Sequence, residues 1–476
     1  MACIPFLQTA PKRWALVLEG WGLDVLNNVP GKYFHCCCWF LLAFFLLPGA
    51  VLAKTIQAQP NNYLQQLKTL QPGDTLLLQT GVYQDGLPIH HLIGRPDQVI
   101  TIAAADPQQA PLFLARRGRN TVSILDSAYV TIRNLVLEGR NLPVDAVKAE
   151  GHARWAHHIT LAGLVIRGHG NNQQTVAIST KCPAWGWVIR GNIIDGAGTG
   201  MYLGNSDGSD AFVGGLIEGN LIMNTLGYNL QIKHQKKRES VEGMPSERRT
   251  TIIRHNVFSK ATGSGSPETA RPNVLVGHWP LSGGGKDDLY QIYGNFFYQN
   301  PNEALFQGEG NIALYNNLFV NGLGDAVHIQ PHNDVPREIA IFYNTVVAAG
   351  EGIVIRKPEA DVKQLVADNS QRVLANVVFA EVPVRAEQQS GNVTGQRFVA
   401  ENYLNRPLAR LGEVDLRPRD KLTARFDPAP MQNYLEWNFG FNGNPRKAGE
   451  VGAYAVEQVS AYWVPRLERK PTFVLP

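Results

Sequence analysis

One short phrase is repeated along this chain, and it restricts the fold more than any other feature. Each copy joins two runs of β-branched or aromatic residues at a corner that holds an asparagine. The copies read V-T-I-R-N-L-V-L (130–137), V-I-R-G-N-I-I (188–194), L-I-E-G-N-L-I (216–222), I-I-R-H-N-V-F (252–258), Q-I-Y-G-N-F-F (291–297), L-Y-N-N-L-F (314–319), I-F-Y-N-T-V-V (341–347) and V-L-A-N-V-V-F (373–379). The corner residues are Asn134, Gly163 (in L-A-G-L-V-I), Asn192, Asn220, Asn256, Asn295, Asn317, Asn344 and Asn376, at steps of 22 to 39 residues. Such a period is typical of a solenoid, whose units stack because none can bury its apolar face alone.

The residue types within the phrase predict an all-β chain. The runs alternate with period two, and no helical pattern of 10–15 residues separates them, which argues against βαβ layers. An asparagine at the same corner of every coil can hydrogen-bond to the next one, and it tolerates the left-handed backbone of a tight corner. The pattern resembles the right-handed parallel β-helix superfamily, with its asparagine ladder, over residues 54–395. That fold hosts lyases, hydrolases, epimerases, adhesins and carbohydrate-binding proteins, so it does not select a function.

Both ends of the repeat carry segments of another kind. Residues 60–83 contain a short amphipathic helix, then Pro-Gly-Asp, then a strand. This arrangement is similar to the N-terminal cap of the chondroitinase B and alginate lyase group, in which the helix covers the open end of the core. Residues 396–476 lose the repeat and are predicted to form an irregular C-terminal flank.

The first 53 residues are predicted to be an extension with an export signal. Residues 36–47 are twelve apolar residues, followed by Pro48-Gly49 and a small-residue site at Ala50–Ala53. This pattern indicates a secretory signal cut near Ala53, and hence a secreted or periplasmic protein. The apolar run is short for a membrane span, although a retained anchor is an alternative. A true start near Val29 would explain the long stretch before it.

Net charge and cysteine count exclude some classes of partner and internal disulfides. The net charge of +4 over 476 residues gives no case for a nucleic-acid partner. Four of the five cysteines precede the cleavage site, so Cys182 alone remains and no internal disulfide can form. The mature chain contains no stretch that predicts a stable membrane span.

The strand after each corner is predicted to present one face to a substrate. Alternation gives two outward columns, one of them Lys148, Ala177, Tyr202, Gln231, Leu275, Phe306, His328 and Val354, the other Glu150, Ser179, Gly204, Lys233, Gly277, Gly308, Gln330 and Arg356. Cations pair with uronate carboxylates, and aromatic rings stack on sugar faces. The predicted partner is therefore an acidic polysaccharide or oligosaccharide, bound by Tyr202, Trp279, Phe306, His328, Gln330 and Arg356. A solvated sheet face without a ligand is the alternative.

The candidate catalytic residues lie around the run Q-I-K-H-Q-K-K-R at 231–238. A lyase must neutralise a uronate carboxylate and remove the neighbouring proton, which needs a cation and a base. We predict Lys233, His234 and His278 for these roles. Asn205, Asp207 and Asp210 offer oxygen ligands for Ca²⁺, the candidate cofactor, although the same residues are ordinary in turns.

A resemblance to chondroitinase B and the alginate lyases of polysaccharide lyase family six supports the choice of Lys233. In that family a lysine base precedes an arginine one coil on, with glutamate and asparagine ligands to Ca²⁺. Lys233 matches the lysine, but Gln231 and Asn229 stand where the family has acidic residues. The arginine position falls near Gly277-His278, which reads G-H-W rather than R-H-G.

These observations favour a polysaccharide lyase and leave two alternatives open. The first is a non-catalytic glycan-binding or cell-surface structural protein. The second is a glycoside hydrolase, although Glu150 and Glu309 are several coils apart, too far for a glycosidase pair at roughly 5–10 Å.

We expect residues 54–476 to form a soluble, mostly β protein without the first 53 residues. N-terminal sequencing of the exported protein should find Lys54 first, because cleavage follows the small-residue site. A mature N-terminus upstream of residue 36 would contradict cleavage at this site.

Overall fold

The structure is a computed structural model that describes residues 53–238, 240–333, 335–356, 371–455 and 463–471. All of these belong to one compact unit, Leu52–Pro476. The predicted export signal up to residue 52 lies outside the described residues. Within the described part of the chain, no helix is both long and apolar enough to cross a membrane.

Three long parallel sheets form the coils, and each coil visits sheet 1, sheet 2 and sheet 3 in turn. Sheet 1 contains Thr55–Ala58, Thr75–Leu78, Ile100–Ala104, Ser127–Arg133, Ala156–Ala162, Ala184–Trp185, Val188–Arg190, Phe212–Val213, Leu216–Glu218, Thr250–Arg254, Leu289–Tyr293, Ile312–Tyr315, Ile339–Phe342, Gln371–Leu374 and Gln388–Ser390. Sheet 2 contains Val82–Tyr83, Leu112–Leu114, Val136–Glu138, Val165–Arg167, Ile193–Asp195, Leu221–Met223, Val257–Ser259, Phe296–Tyr298, Leu318–Asn321, Thr345–Ala348, Val377–Phe379 and Val393–Gly395. Sheet 3 contains Leu87–His90, Val122–Leu125, Val147–Ala149, Val176–Thr180, Thr199–Leu203, Leu230–Ile232, Val274–Val276, Phe306–Gly308, Val327–Ile329, Glu351–Ile355 and Val382–Arg385. The all-β, right-handed parallel β-helix predicted from the repeat is confirmed.

The inward side chains stack in columns along the axis. In sheet 1, for example, Leu161 lies beside Ile132 on one neighbouring strand and Ile189 on the other, and all three are fully buried. The Phe297 and Phe319 rings stack at 4.4 Å in the same way. One continuous apolar core therefore runs through the coils, and burial of its surface at about 25 cal/mol per Å² is the main stabilising term.

A ladder of buried asparagines holds the corner between sheets 1 and 2. Each side-chain oxygen accepts bonds from the backbone and side-chain nitrogens of the asparagine one coil earlier. Asn220 N and Nδ2 both lie 2.9 Å from Asn256 Oδ1, and Asn220 Nδ2 also donates to Ile189 O. The ladder runs through Asn192, Asn220, Asn256, Asn295, Asn317, Asn344, Asn376 and Asn392. It extends one coil beyond the predicted series, because Asn392 continues it.

Asn134 is not a member of this ladder, so its assignment from the sequence was wrong. The ladder position in its coil is Leu135, since Leu164 one coil later is the residue whose N–H bonds to Asn192. Asn134 and Gly163 occupy the preceding position, where the backbone is left-handed, with φ of 59° and 63°. The left-handed conformation thus belongs to the residue before the ladder asparagine, and the asparagine amide is free to stack.

A second group of asparagines stabilises the corner between sheets 2 and 3. Asn300 Nδ2 donates to Asn273 Oδ1 at 3.0 Å, and the Asn300 backbone N–H donates to Asn321 Oδ1 at 3.3 Å. Asn321 in turn donates to Asp325 O at 2.8 Å. The loops that enter the middle of sheet 3 are therefore fixed by buried amides.

The first coil is covered by a short helix, Tyr63–Leu67, whose Tyr63 and Leu67 are buried. This confirms the predicted N-terminal capping helix. Single turns of 3₁₀ helix lie at Pro107–Gln109, Pro267–Thr269 and Ala429–Met431, and a longer one at Arg397–Asn402. Leu404–Arg406 and Asp415–Pro418 form an antiparallel pair beyond the last coil.

The C-terminal flank packs on the outer surface of sheet 1. Tyr293 and Tyr315 stack there at 4.9 Å, and the Tyr315 hydroxyl donates to Leu435 O at 2.7 Å. The Lys470 ammonium is buried and donates to Gly294 O at 2.9 Å and to Phe441 O at 2.6 Å. Other described residues of the flank contact sheet 2, where the ring centroids of Trp463 and Phe296 lie 6.0 Å apart and those of Tyr403 and Phe379 lie 5.2 Å apart.

Replacing Asn220 or Asn295 by Ala should lower the free energy of unfolding by about 1–3 kcal/mol, because buried partners lose their hydrogen bonds. Asn134→Gly is the matched control: it removes an asparagine from the same corner without breaking the ladder, and glycine suits the left-handed backbone. Thermal or denaturant unfolding measures the difference. An unchanged free energy of unfolding for both alanine variants would show that the ladder does not stabilise the fold.

Candidate functional site

The strand pairing of sheet 3 fixes which side chains share its outward face. The first column contains Ser123, Lys148, Ser179, Tyr202, Gln231, Leu275, Gln307, His328 and Val354. Backbone hydrogen bonds extend the same register to a second column, Glu150, Lys181, Gly204, Lys233, Gly277, Glu309, Gln330 and Arg356. This face, from Lys181 to Arg356, is called the groove below.

Four positions of the predicted columns were misaligned. Ser179 and Gln307 replace Ala177 and Phe306 in the first column, and Lys181 and Glu309 replace Ser179 and Gly308 in the second. Sequence reasoning therefore missed Lys181 and Glu309. Alternation alone would have found Glu309, because it lies two residues after Gln307 and three after the inward Phe306.

Two of the predicted substrate-binding aromatics do not reach the groove. Phe306 is fully buried in the core, with Val274 and Val327 beside it on the neighbouring strands. Trp279 is 1% exposed and stacks on the buried Tyr290 at 4.3 Å. Their apolar rings contribute more by filling the core than they could on a surface, which is the physical reason for the correction.

Tyr202 and Lys233 lie near the middle of the groove, as predicted, and both are half-buried. Lys181 Nζ lies 3.5 Å from the centroid of the Tyr202 ring, a cation–π contact. The Tyr202 hydroxyl lies 3.1 Å from Ser206 Oγ. Gly204 separates Lys181 from Lys233 in the second column, and it places no side chain of its own between them.

Burial lowers the pKa of Lys233, while the Glu309 carboxylate opposes that shift. Glu309 is 3% exposed and stands two strands beyond Lys233 in the same column. Its carboxylate accepts hydrogen bonds from the backbone of His332 and Asn333, at 3.0 and 2.8 Å. A lysine whose pKa is lowered holds more of its neutral, basic form near neutral pH.

His234 and His278 are brought together at the edge of the groove, with ring centroids 5.5 Å apart. Burial lowers the pKa of His234, and the positive charge of Lys233 and the neighbouring His278 lower it further. The turn at Gly208 packs against the His234 ring, since a Cβ at Gly208 would lie 2.8 Å from it. His234 thus lies between Lys233, its neighbour in the chain, and His278.

Gly277 is required by the path of the chain. A Cβ at this position would lie 2.2 Å from His234 N and 2.7 Å from Lys233 C. A side chain here would push the Lys233 strand away, so the arginine expected from the lyase resemblance has no room at Gly277. The second cation near Lys233 is instead Lys181, on the other side of Tyr202.

A cavity of about 340 Å³ continues the groove beyond Lys233. It is lined by Tyr228, Ala270, Arg271, Pro272, Leu275, Val276, Glu303, Gln307, Gly308, Glu309, Gln330 and His332. Arg271 lies 6.0 Å from the centroid of the Tyr228 ring. The predicted substrate-binding residue Gln330 is thus part of a formed pocket.

The side chains of Asn205, Asp207 and Asp210 form hydrogen bonds within one turn. Asn205 donates its amide to Asp210 Oδ2 at 2.8 Å, and Asp207 Oδ1 accepts from Ser209 Oγ at 2.7 Å. Lys236 Nζ lies 3.7 Å from Asp207 Oδ2. Asp207 Oδ1 and Asp210 Oδ2 both lie within hydrogen-bond distance of Ser209 Oγ, at 2.7 and 3.0 Å, so the turn itself uses the oxygens that the sequence offered to Ca²⁺.

Among the described residues, Asp325, His328 and Glu351 are close enough to share a metal ion, their ligand atoms lying within 4.8 Å of one another. His328 Nε2 lies 3.0 Å from Glu351 Oε2, and Arg356 and Arg385 contact the same carboxylate at 2.9 and 3.0 Å. Two fixed guanidinium charges would repel a divalent cation here. We therefore interpret the cluster as an ion-pair network that holds His328 and Arg356 at the far end of the groove.

Gly277→Ala should destabilise the protein by about 1–3 kcal/mol, the usual result of adding an atom to a packed site. Gly151→Ala is the matched control, because a Cβ there would meet its nearest neighbour at 3.5 Å, an ordinary contact. Neither glycine has a left-handed backbone. Equal melting temperatures for the two variants would contradict the close approach at Gly277.

No family model matches this chain, and no curated protein matches it in sequence. Among solved structures it is similar to the alginate lyase from Paenibacillus sp. str. FPU-7, at 18% identity and a TM-score of 0.47, over 63% of this chain and 95% of that one. A PL6 family alginate lyase is similar at 12% identity and 0.46, over 77% and 55%. The GH136 lacto-N-biosidase from Eubacterium ramulus is similar at 12% and 0.43, over 72% and 68%. The strand pairing of this chain itself establishes the fold, and the resemblance to the right-handed parallel β-helix superfamily is confirmed at that level.

Proposed function

We propose that this protein is an enzyme that cleaves an acidic polysaccharide by β-elimination, with Lys233 as the base. The observation that carries the proposal is the position of Lys233. It is half-buried in a groove, its pKa is lowered by burial, and glycines flank it on both sides in its column. A lysine placed in this way can meet a sugar ring lying along the groove.

The elimination requires a base and a stabilised carboxylate. Neutral Lys233 Nζ takes the proton from the ring carbon that bears the uronate carboxyl, a double bond forms between that carbon and the next, and the glycosidic carbon–oxygen bond on the next carbon breaks. The departing oxygen then takes a proton from the Lys233 ammonium, which returns the residue to its neutral state. The imidazoles of His234 and His278 can form hydrogen bonds with the sugar at this point.

The charges of the groove support an acidic substrate. Lys181 and Lys233 lie in its first half, and Arg271 and Arg356 lie further on, so cations follow its length. Tyr202 and Tyr228 offer ring faces beside them. We also propose that the enzyme is exported and cut after Ala53, because an enzyme for a large polysaccharide must meet it outside the cell.

A glycoside hydrolase is the second candidate, favoured by the oxygens of Asp325 and Glu351 lying within 4.8 Å of one another. Retaining glycosidases hold their carboxyl groups about 5 Å apart. However, Arg356 and Arg385 already contact the two oxygens of Glu351, which weakens it as a nucleophile. We therefore prefer the lyase.

Incubation of the mature protein with alginate, pectate and chondroitin sulfate, with and without EDTA, distinguishes the candidates. A lyase leaves an unsaturated sugar that absorbs in the ultraviolet. A hydrolase leaves only new reducing ends, and a non-catalytic binding protein leaves neither. Absence of the ultraviolet product from all three polymers, under either condition, would count against the lyase.

Lys233→Ala should abolish formation of the unsaturated product without unfolding the protein, because the side chain lies outside the core. The matched control is Lys236→Ala. It removes a lysine of the same segment, and that lysine pairs with Asp207 at the surface. Circular dichroism checks the fold and product absorbance checks turnover. Full activity in Lys233→Ala would place the base elsewhere.

Arg356→Ala should weaken only the binding of longer chains. Arg356 stands three strands beyond Gly277 in its column, about 14 Å along the axis. At that distance it can hold another sugar but cannot reach the reacting carbon. Binding of short and long oligosaccharides should be compared by calorimetry, and an equal loss for both would refute this placement.

A further inference from the structure

A second lysine, Lys181, lies near the proposed base Lys233 and has no assigned part in the elimination. It lies two strands before Lys233 in the second column, with Gly204 between them. Their backbones are therefore about 10 Å apart along the axis. Both side chains rise from the same line of the groove floor, and the open position over Gly204 lies between them.

Lys181 differs from Lys148 and Lys236 in its partners. Lys148 Nζ lies 3.6 Å from Asp145 Oδ2, and Lys236 Nζ lies 3.7 Å from Asp207 Oδ2. For Lys181, no carboxylate of the described residues lies within ion-pair distance, and its ammonium rests on the Tyr202 ring at 3.5 Å. Two further cations, Lys148 and Lys233, act on it electrostatically.

Such an arrangement disfavours a charged side chain in the free protein. Burial removes water from the ammonium, and the like charges of Lys148 and Lys233 add repulsion. A bound anion would relieve both effects at once. The ammonium covers one face of the Tyr202 ring, so a sugar that contacts the rest of that ring brings its substituents close to Lys181.

We propose that Lys181 binds the carboxylate of the uronate whose proton Lys233 removes. This inference rests on the proposed lyase function and adds a substrate class to it: polymers whose uronates carry free carboxylates rather than esters. The ammonium donates hydrogen bonds to the carboxylate oxygens and stabilises the negative charge that moves onto them as the proton leaves. No further reactant is needed, since Lys181 neither gains nor loses a proton in the step.

The charge state of Lys181 gives this role a pH signature. Burial and the charges of Lys148 and Lys233 lower its pKa to about 8, although Asp145 opposes the shift. Lys181 is then charged below about pH 8 and loses its charge above it. Binding of a carboxylate to the free enzyme should therefore decline as the pH rises through that value.

The first test compares Lys181→Met and Lys181→Arg with the wild type on hexamers of mannuronate, guluronate and galacturonate and on their methyl esters. Lys181→Met should lower kcat/KM on the free acids by about 100-fold or more, the usual effect of losing one group that stabilises an oxyanion. It should change the binding of the methyl esters little. Lys181→Arg should retain activity and move the alkaline limb of the kcat/KM profile upward, because a guanidinium stays charged.

Lys148→Met is the matched control, because it removes a nearby lysine that already has a carboxylate partner. An equal loss of binding to the acids and the esters in Lys181→Met would overturn the proposal, because the esters have no free carboxylate for Lys181 to bind. The same holds if Lys148→Met reproduces the effect, or if the alkaline limb stays in place in Lys181→Arg.

Failure of the lyase proposal is recognised separately. If the wild type releases no unsaturated product, the proposed reaction is wrong, and calorimetric binding of the same hexamers still tests Lys181. Binding that depends on Lys181 and on a free carboxylate would then support the carboxylate site alone. Binding indifferent to Lys181 would refute it.

Discussion

The hydrogen bond from one buried asparagine to the next is the interaction on which the site depends. Asn220 donates its backbone N–H and its side-chain amide to the Asn256 side-chain oxygen, and the same contact recurs from Asn192 to Asn392. This contact fixes the register of each coil relative to its neighbours. A slip of one residue would turn every outward side chain of sheet 3 toward the core. The columns that hold Lys181 and Lys233 exist because this register is kept.

The fold could be predicted from the sequence because its cause is local and repeated. Each phrase carries its own alternation and its own corner, so the period alone indicates stacked coils. Asn134 was misassigned because an asparagine suits both the left-handed position and the ladder position. The ladder position is distinguished by the hydrogen bond to the next asparagine, which forms only when the coils stack.

The site was predicted less completely, and the errors have one physical origin. Lys233, His234 and His278 lie in one short sequence segment or on the next strand, and they do come together. Lys181 was missed because a loop of different length precedes its strand, so that sequence spacing does not give register. Glu309 was missed because Phe306, an inward residue, was assigned to the outward column in place of Gln307. The packing of the C-terminal flank through Lys470 and Gly294 joins residues far apart in sequence, which no local pattern predicts.

The proposed reaction depends on where a uronate binds. A crystal structure of Lys233→Ala soaked with a polyuronate hexamer tests this most directly, because the variant should bind the chain without cleaving it. We expect a sugar ring over Tyr202, with its carboxylate on Lys181 and the proton beside it facing the position of the missing Lys233 side chain. A hexamer bound away from the outward face of sheet 3, or with its carboxylate turned away from Lys181, would contradict the account.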